Sequence, residues 1–150
     1  MTKDEIVKAQ RFCAYQERSQ QEVRNKLYEL GLFAGRVEEV ISELIQAGFL
    51  NEERFAVAYT LGKFRIKKWG KLKIRHGLRL KKIPEKLIAK ALKQINEADY
   101  LRTLQDVLSK KRVLLKEKDN FKLEYKLIQF ALSKGYERDL ITDALKANML

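Results

Sequence analysis

The sequence predicts an all-α protein of three tandem three-helix repeats, which form an elongated, curved helical array of right or left hand. Three observations predict this fold class. Residues that favour helices, such as Leu, Lys, Glu, Ala and Arg, are abundant, and one proline and seven glycines in 150 residues are too few for an all-β chain. Apolar residues recur at helical spacing. Finally, one apolar pattern occurs three times along the chain.

The repeated pattern is a charged residue followed by apolar residues at relative positions 0, +1 and +5. Its copies are separated by 47 and 53 residues and occupy residues 39–45, 86–92 and 139–145. This spacing places the apolar side chains on one face of a helix, which we assign as the third helix of each repeat. The predicted domains are therefore residues 1–48, 49–96 and 97–150.

The second helix of each repeat is identified by aligning the chain backwards from that pattern. Val23, Leu27 and Leu30 lie at i, i+4 and i+7, the spacing of an amphipathic helix. The corresponding residues in the other repeats are Ile74, Leu78, Lys81 and Lys82, and Leu127, Ala131, Lys134 and Gly135. We therefore expect the second helices to end near Gly31, Lys82 and Gly135.

The first helix of the second repeat is predicted to be long. Asn51 supplies a capping side chain, and Glu52 and Glu53 follow where the helix dipole favours carboxylates. An apolar stripe then continues through Phe55, Tyr59, Gly62, Ile66 and Trp69. We expect the helix to end at Gly70, since glycine readily adopts a helix-terminating conformation. The stripe predicts that most of its side chains, including Ile66, lie in the core.

Residues 71–81 allow two interpretations when they are taken alone. Their apolar residues alternate, as in a β-strand, and His76-Gly77 is able to form the turn of a hairpin. In the repeat alignment, however, the segment corresponds to residues that show helical spacing in the other two copies. We therefore predict a helix.

The positive charge is concentrated in the middle of the chain. Residues 1–60 carry 8 basic and 10 acidic side chains. Residues 61–93 carry 13 basic side chains and 1 acidic one, and residues 94–150 carry 11 basic and 9 acidic ones. Cations at this density repel one another, and a polyanionic partner relieves the repulsion. We therefore expect a DNA-binding site formed by Lys63, Arg65, Lys67, Lys68, Trp69, Lys71, Lys73, Arg75, Arg79, Lys81 and Lys82.

The dense positive charge allows two further interpretations. The cations can form a solvated face without a ligand, although the nearly balanced flanks argue against it. They can also bind membrane phospholipid, with an apolar helix face made of Phe64, Ile66, Trp69, Leu72 and Ile74. Helical periodicity assigns most of those residues to a core, so no membrane partner is expected. Trp69 has two alternatives of its own, a core position or a surface on which an unpaired base stacks.

Residues suited to catalysis or metal binding are scarce. Cys13 and His76 are the only cysteine and histidine, so zinc ligands and a disulfide framework are not expected. The glycines match neither a P-loop nor a dinucleotide-binding pattern. We expect no cofactor and no enzymatic activity. The N-terminus is charged and no stretch approaches about 18 apolar residues, so a cytoplasmic protein is predicted.

Several motifs resemble the RecX family. The central ones are Leu50 to Ala56, Arg65, the Lys68-Trp69-Gly70 turn, Lys73 to Arg75, and Leu78 to Ile83. The opening pattern of the family is matched by Tyr15, Arg18, Ser19, Glu22, Val23, Lys26, Leu27 and Gly31, and its last unit more loosely by residues 126–136. Two turns depart from the family, which usually has Gly-Pro at Gly70-Lys71 and Gly-Ile at Lys82-Ile83.

The resemblance implies a regulator, usually negative, that lies in the groove of the RecA recombinase filament on single-stranded DNA. The basic middle repeat, which the charge count identifies independently, is what such a partner requires. We expect a monomer. Two alternatives are a free-standing basic helical module that binds nucleic acid without a recombinase, and a repeat scaffold with little salt-sensitive DNA binding.

Overall fold

The computed structural model describes residues 3–148, which contain nine α-helices and no β-strand. The helices are α1 (Lys3–Tyr15), α2 (Gln20–Glu29), α3 (Ala34–Gln46), α4 (Glu52–Gly62), α5 (Lys71–Leu80), α6 (Glu85–Leu92), α7 (Glu97–Leu114), α8 (Asn120–Ser133) and α9 (Arg138–Asn148). One π-helical turn, Lys63–Lys67, continues α4. The predicted all-α class and the three tandem three-helix repeats are confirmed, as is the helix predicted at residues 71–81.

Polar residues begin several of these helices. Ser19 and Glu22 form a reciprocal capping box at the start of α2, in which each side chain bonds the other residue's backbone amide. The Asn51 side chain accepts the Arg54 N–H at 2.9 Å, as the sequence predicts for α4. Asn96 caps α7 in the same way through the Asp99 N–H.

The same turn joins the second and third helices of every repeat. Its first residue has a left-handed backbone, with φ of 93° at Gly31, 60° at Lys82 and 98° at Gly135. The next amide donates to the carbonyl five residues earlier at 3.1 Å, in the pairs Leu32 to Leu27, Ile83 to Leu78 and Tyr136 to Ala131. The predicted helix ends are therefore confirmed, and Lys82 takes the conformation that glycine takes elsewhere.

Backbone contacts divide the chain into two compact units. The first contains the residues up to 58 together with 78–91, and the second contains 59–77 together with the residues from 92 onwards. The division falls within α4, within α5 and at the last residue of α6, so it groups residues differently from the repeats. The domain limits 1–48, 49–96 and 97–150 stay a prediction.

Each unit has its own apolar core. The core of the first includes the fully buried side chains of Ala9, Val23, Leu27, Val37, Val40 and Leu44. In the second, Tyr100 is fully buried, and its ring centroid lies 5.9 Å from that of Phe64 and 5.3 Å from that of Tyr136. Aliphatic residues of α5, α7, α8 and α9 complete it, namely Ile74, Leu104, Leu108, Leu127 and Ile141.

The predicted stripe of the long helix is wrong after residue 62. The π-helical turn, in which the Lys68 amide bonds the Lys63 carbonyl, rotates the following side chains relative to an α-helix. Phe64 is consequently buried, whereas Ile66 is 77% exposed. Leu72 is also exposed, so the apolar residues of this segment are shared between core and surface.

The end of this helix is also placed differently from the prediction. The left-handed residue that terminates it is Lys68, with φ of 59°, rather than Gly70. Among residues 3–148, no helix is both long and apolar enough to cross a bilayer.

Candidate nucleic-acid interface

The turn that carries Trp69 is held by side chains of the third repeat. Its last carbonyls have no partner within the helix. Lys134 Nζ donates to the Lys67 carbonyl at 3.1 Å, and the Tyr136 hydroxyl donates to the Lys68 carbonyl at 2.7 Å. These bonds fix the backbone on the N-terminal side of Trp69.

A backbone-to-backbone contact fixes the chain on the C-terminal side of Trp69. The Gly70 amide donates to the Lys134 carbonyl at 2.7 Å, and the Leu72 amide donates to the Gly135 carbonyl at 3.0 Å. A Cβ atom on Gly70 would lie 2.4 Å from the Gly135 carbonyl carbon, and one on Gly135 would lie 2.4 Å from Lys73 Cβ. Glycine is therefore required at position 70 for close approach, not for helix termination.

A buried tyrosine positions the start of α5. The Lys71 amide donates to the Tyr100 hydroxyl at 2.9 Å, and that hydroxyl donates to the Glu137 carboxylate. Burial, followed by the hydrogen bond to Glu137, raises the pKa of Tyr100 far above its ordinary value. Tyr100 therefore stays protonated and keeps this bond at neutral pH.

Two lysines lie over the Trp69 ring, and Lys134 bonds the backbone of a third, Lys67, which lies two residues before Trp69. We call this group the Trp69 cluster: Lys63, Lys67, Trp69, Lys73 and Lys134. The ammonium nitrogens of Lys63 and Lys73 lie 4.9 and 4.7 Å from the Trp69 ring centroid, within cation–π range. Burial, together with the charges of Lys73 and Lys67, lowers the pKa of Lys134. Within the described part of the chain, none of the four pairs with a carboxylate.

Trp69 itself is half-buried. The hydrogen bonds on both sides fix the backbone that carries this ring. The indole and the four ammonium groups thus form a surface that carries positive charge beside an aromatic ring. This combination is suited to phosphates and unpaired bases.

The other predicted cations of the second unit differ in whether a carboxylate already pairs with them. Arg65 and Lys68 line a groove with Arg102, which is itself paired with Asp99 at 2.9 Å. Lys71 is neutralised, because its ammonium nitrogen lies 3.1 Å from a Glu97 carboxylate oxygen.

Arg75 makes neither an ion pair nor a hydrogen bond through its side chain in the residues the structure describes. Like Arg65 and Lys68, it is therefore available to a ligand, whereas Lys71 is not.

Three predicted site residues belong to the first unit. Arg79 forms an ion pair with Glu85, and Lys81 Nζ lies 3.8 Å from a Glu22 carboxylate oxygen. Lys82 is exposed on the left-handed turn. Two of these three cations are thus already paired, which makes them weaker candidates for phosphate contacts.

Lys134 is the site residue that the sequence interpretation missed. It comes from the third repeat, where 11 basic and 9 acidic residues nearly cancel, so the charge count gives no signal there. The repeat alignment does contain a signal, because it aligns Lys134 with Lys81, immediately before the turn. That position is basic in both repeats.

The single cysteine lies outside this site. Cys13 is in the core of the first unit, and burial raises the pKa of its thiol. Over residues 3–148, no group of three or more His, Cys, Asp or Glu side chains is placed to hold a metal ion.

Three family models match the chain in order. They describe the first three-helix domain of RecX at residues 7–44, the second at 51–92 and the third at 97–145. The chain belongs to the RecX family. This confirms the resemblance drawn from the central and opening motifs.

Two relatives in this family have the name Regulatory protein RecX. The one from Clostridium perfringens strain 13 is 34% identical over 124 residues, which cover 81% of this chain and 58% of that protein. The one from Clostridium acetobutylicum is 32% identical over 133 residues, covering 86% and 61%. The chain therefore spans about three fifths of the length of these relatives.

A solved structure shows the same fold. The crystal structure of RecX from Lactobacillus salivarius superposes with a TM-score of 0.84 and covers 99% of this chain and 100% of its own. The two sequences are 21% identical, so this similarity concerns the fold.

Proposed function

We propose that this protein binds the RecA recombinase filament on single-stranded DNA and inhibits its ATPase and strand-exchange activities. The observation that carries the proposal is the Trp69 cluster, whose four lysines have no carboxylate partner in the described residues and include two that lie over a half-buried indole. Membership of a family whose relatives have the name Regulatory protein RecX supports a regulatory role.

DNA contacts come first in the proposed mechanism. Lys63, Lys67, Lys73 and Lys134 attract the phosphates of the strand within the filament, releasing its condensed counterions. Arg65 and Arg75 add further charge. Trp69 offers a ring on which a base that is not paired can stack.

Inhibition then follows from binding alone. A chain held on both the strand and the recombinase subunits prefers the state of the filament that provides both contacts. It thereby hinders ATP turnover, subunit addition or homologous pairing, and it needs no cofactor for this. The protein acts as a monomer in the cytoplasm, where the filament forms.

One alternative is a free-standing nucleic-acid-binding module. The Trp69 cluster supports it as well, because phosphate and base contacts require no recombinase. The two functions differ in stoichiometry. A module that only coats DNA inhibits the recombinase when most of the strand is covered, whereas a filament ligand acts at much lower amounts.

The test is the ATPase activity of the recombinase on single-stranded DNA, titrated with this protein. We expect turnover to fall at amounts far below those that coat bare DNA. Inhibition only at coating amounts would favour the alternative, and no inhibition at any amount would contradict the proposal.

A cluster variant and a control variant make this test specific. The cluster variant carries Lys63→Gln, Lys67→Gln, Lys73→Gln and Lys134→Gln. The control variant removes four exposed cations of the same unit, through Lys110→Gln, Arg112→Gln, Lys122→Gln and Lys146→Gln. Both lose the same charge, so only the cluster variant should lose inhibition.

A further inference from the structure

We propose that the first unit contains a second binding site for single-stranded nucleic acid, in a cleft between α1 and α2. The cleft has a volume of about 350 Å³ and is lined by Lys8, Arg11, Phe12, Tyr15, Arg18 and Lys26. We call it the α1–α2 cleft. The inference does not rest on the proposed function, since the cleft and the Trp69 cluster share no residue.

The charge of the cleft is opposite to that of its surroundings along the chain. Residues 1–60 contain 8 basic and 10 acidic side chains, yet four of the eight basic ones line this cleft. Among the described residues, no carboxylate lines it. Arg18 forms an ion pair with Glu22 at 3.9 Å, and that carboxylate is also engaged in the capping box. The cleft is therefore a local anion-binding environment in an acidic segment.

Two aromatic rings lie among these cations. The Arg18 guanidinium carbon is 3.7 Å from the Phe12 ring centroid and 5.9 Å from that of Tyr15. Lys26 Nζ is 5.7 Å from the Phe12 ring. Tyr15 is 82% exposed, although it is a large ring on a core-packed helix. A flat ligand stacked on Tyr15 would cover this surface.

The guanidinium in the cleft is fixed before any ligand binds. Arg18 Nε donates to the Phe12 carbonyl at 2.9 Å, and the Arg18 side chain is only 13% exposed. Lys8 and Arg11, in contrast, make neither ion pairs nor hydrogen bonds through their side chains within residues 3–148. Arg18 is therefore packed on the Phe12 ring, while Lys8, Arg11 and Lys26 are available for an anion.

The ligand that uses all these groups is a nucleotide of a single strand. Phosphates pair with Lys8, Arg11 and Lys26, and an unpaired base stacks on Tyr15. An acidic peptide would satisfy the cations but leave the exposed ring uncovered. Bases inside a duplex are not accessible for stacking on Tyr15. The observations therefore favour a single strand over both.

A reporter placed in the cleft tests this site directly. Trp69→Phe combined with Tyr15→Trp leaves one indole, inside the α1–α2 cleft. We expect a short oligothymidylate to quench its emission, and poly-L-glutamate at equal charge to have much less effect. The quenching should disappear when Lys8→Gln and Arg11→Gln are added. Equal quenching by poly-L-glutamate would assign the cleft to acidic peptides, and no quenching by oligothymidylate would overturn the proposal.

A second measurement keeps the native tryptophan. Tyr15→Ala should weaken binding of oligothymidylate by about tenfold, since one stacked base is lost. Phe33→Ala is the matched control, because Phe33 is 74% exposed in the same unit and, in the described part of the chain, no lysine or arginine lies over its ring. An equal effect of both substitutions would contradict the site.

The two proposals fail independently. If the cluster variant loses ATPase inhibition while the emission of the cleft reporter does not change, only the binding site in the α1–α2 cleft is disproved. If the reporter responds to oligothymidylate while the cluster variant inhibits normally, only the proposed function of the Trp69 cluster is disproved.

Discussion

The Trp69 cluster and the α1–α2 cleft combine the same kinds of groups in two different settings. In each, lysines or arginines lie beside an aromatic ring. Within the described residues, the lysines of the cluster pair with no carboxylate, and in the cleft only Arg18 does, with Glu22 at 3.9 Å. The cluster draws three of its cations from the densely basic middle of the chain, whereas the cleft lies in a segment of net charge −2, from 8 basic and 10 acidic residues. A charge count along the sequence therefore detects the first and misses the second.

The two groups also differ in what supports them. The Trp69 cluster stands on a backbone contact between Gly70 and Gly135 that leaves no room for a Cβ atom. The α1–α2 cleft depends on one side chain, Arg18, while Tyr15 projects into solvent. Backbone changes should therefore damage the first, and surface changes in the second should leave the fold intact.

The largest expected effect comes from breaking the backbone contact of the cluster. Gly135→Ala places a Cβ atom 2.4 Å from Lys73 Cβ and also strains a φ of 98°. The free energy of unfolding should fall by about 2–4 kcal/mol. Denaturant unfolding measures it.

Gly31→Ala is the control for this substitution. Gly31 has nearly the same φ, 93°, but nothing lies within 4 Å of its Cβ position. Gly31→Ala should therefore lower the free energy of unfolding only by the cost of the left-handed backbone, about 1–2 kcal/mol. If both substitutions destabilise equally, the contact between Gly135 and Lys73 is not as close as described.

A smaller effect, on binding, is expected from Trp69→Leu. The affinity for single-stranded DNA should fall by about 1–3 kcal/mol, because the stacking surface is lost. The free energy of unfolding should change less, since the ring is only half-buried and leucine still covers the turn. In the native protein, the emission of this single tryptophan should respond to DNA. A larger loss of stability than of affinity would make Trp69 a core residue.

The smallest expected effect concerns Lys82. Its left-handed conformation is strained for any residue with a Cβ atom, so Lys82→Gly should stabilise the fold by about 0.5–1 kcal/mol. Lys82→Gln removes the same charge and keeps the strain. Thermal unfolding should place the glycine variant above the glutamine variant, and the reverse order would show that Lys82 is not strained.

The fold was predictable because its core follows helical spacing. Val23, Leu27, Ile74 and Leu78 are fully buried at the aligned positions of two repeats. The helix ends at Gly31 and Gly135 were equally predictable from the sequence, since glycine is common where a helix ends in a left-handed residue. Repeat alignment also decided between helix and hairpin at α5.

What the sequence could not predict depends on backbone geometry. Nothing in the pattern signals the π-helical turn that turns Ile66 outwards and Phe64 inwards. The need for glycine at position 70 arises from Gly135, far along the chain, and not from a local turn.

The same reason limits what could be predicted of the site. Lys63, Trp69 and Lys73 were predicted together, because they are close in sequence. Lys134 reaches them only through folding of the second unit, and Lys71 is lost to Glu97 for the same reason. The α1–α2 cleft also needs two helices to bring Lys8 and Arg11 beside Lys26.

The salt dependence of single-stranded DNA binding tests the central claim, that the Trp69 cluster binds phosphates, most directly. Each lost phosphate contact removes about 0.7 from the slope of log K against log salt, so the cluster variant should lose about 2.8. The control variant, which has the same net charge, should keep most of the native slope. An unchanged slope in a folded cluster variant would contradict the account, because Lys63, Lys67, Lys73 and Lys134 would then form only a solvated surface.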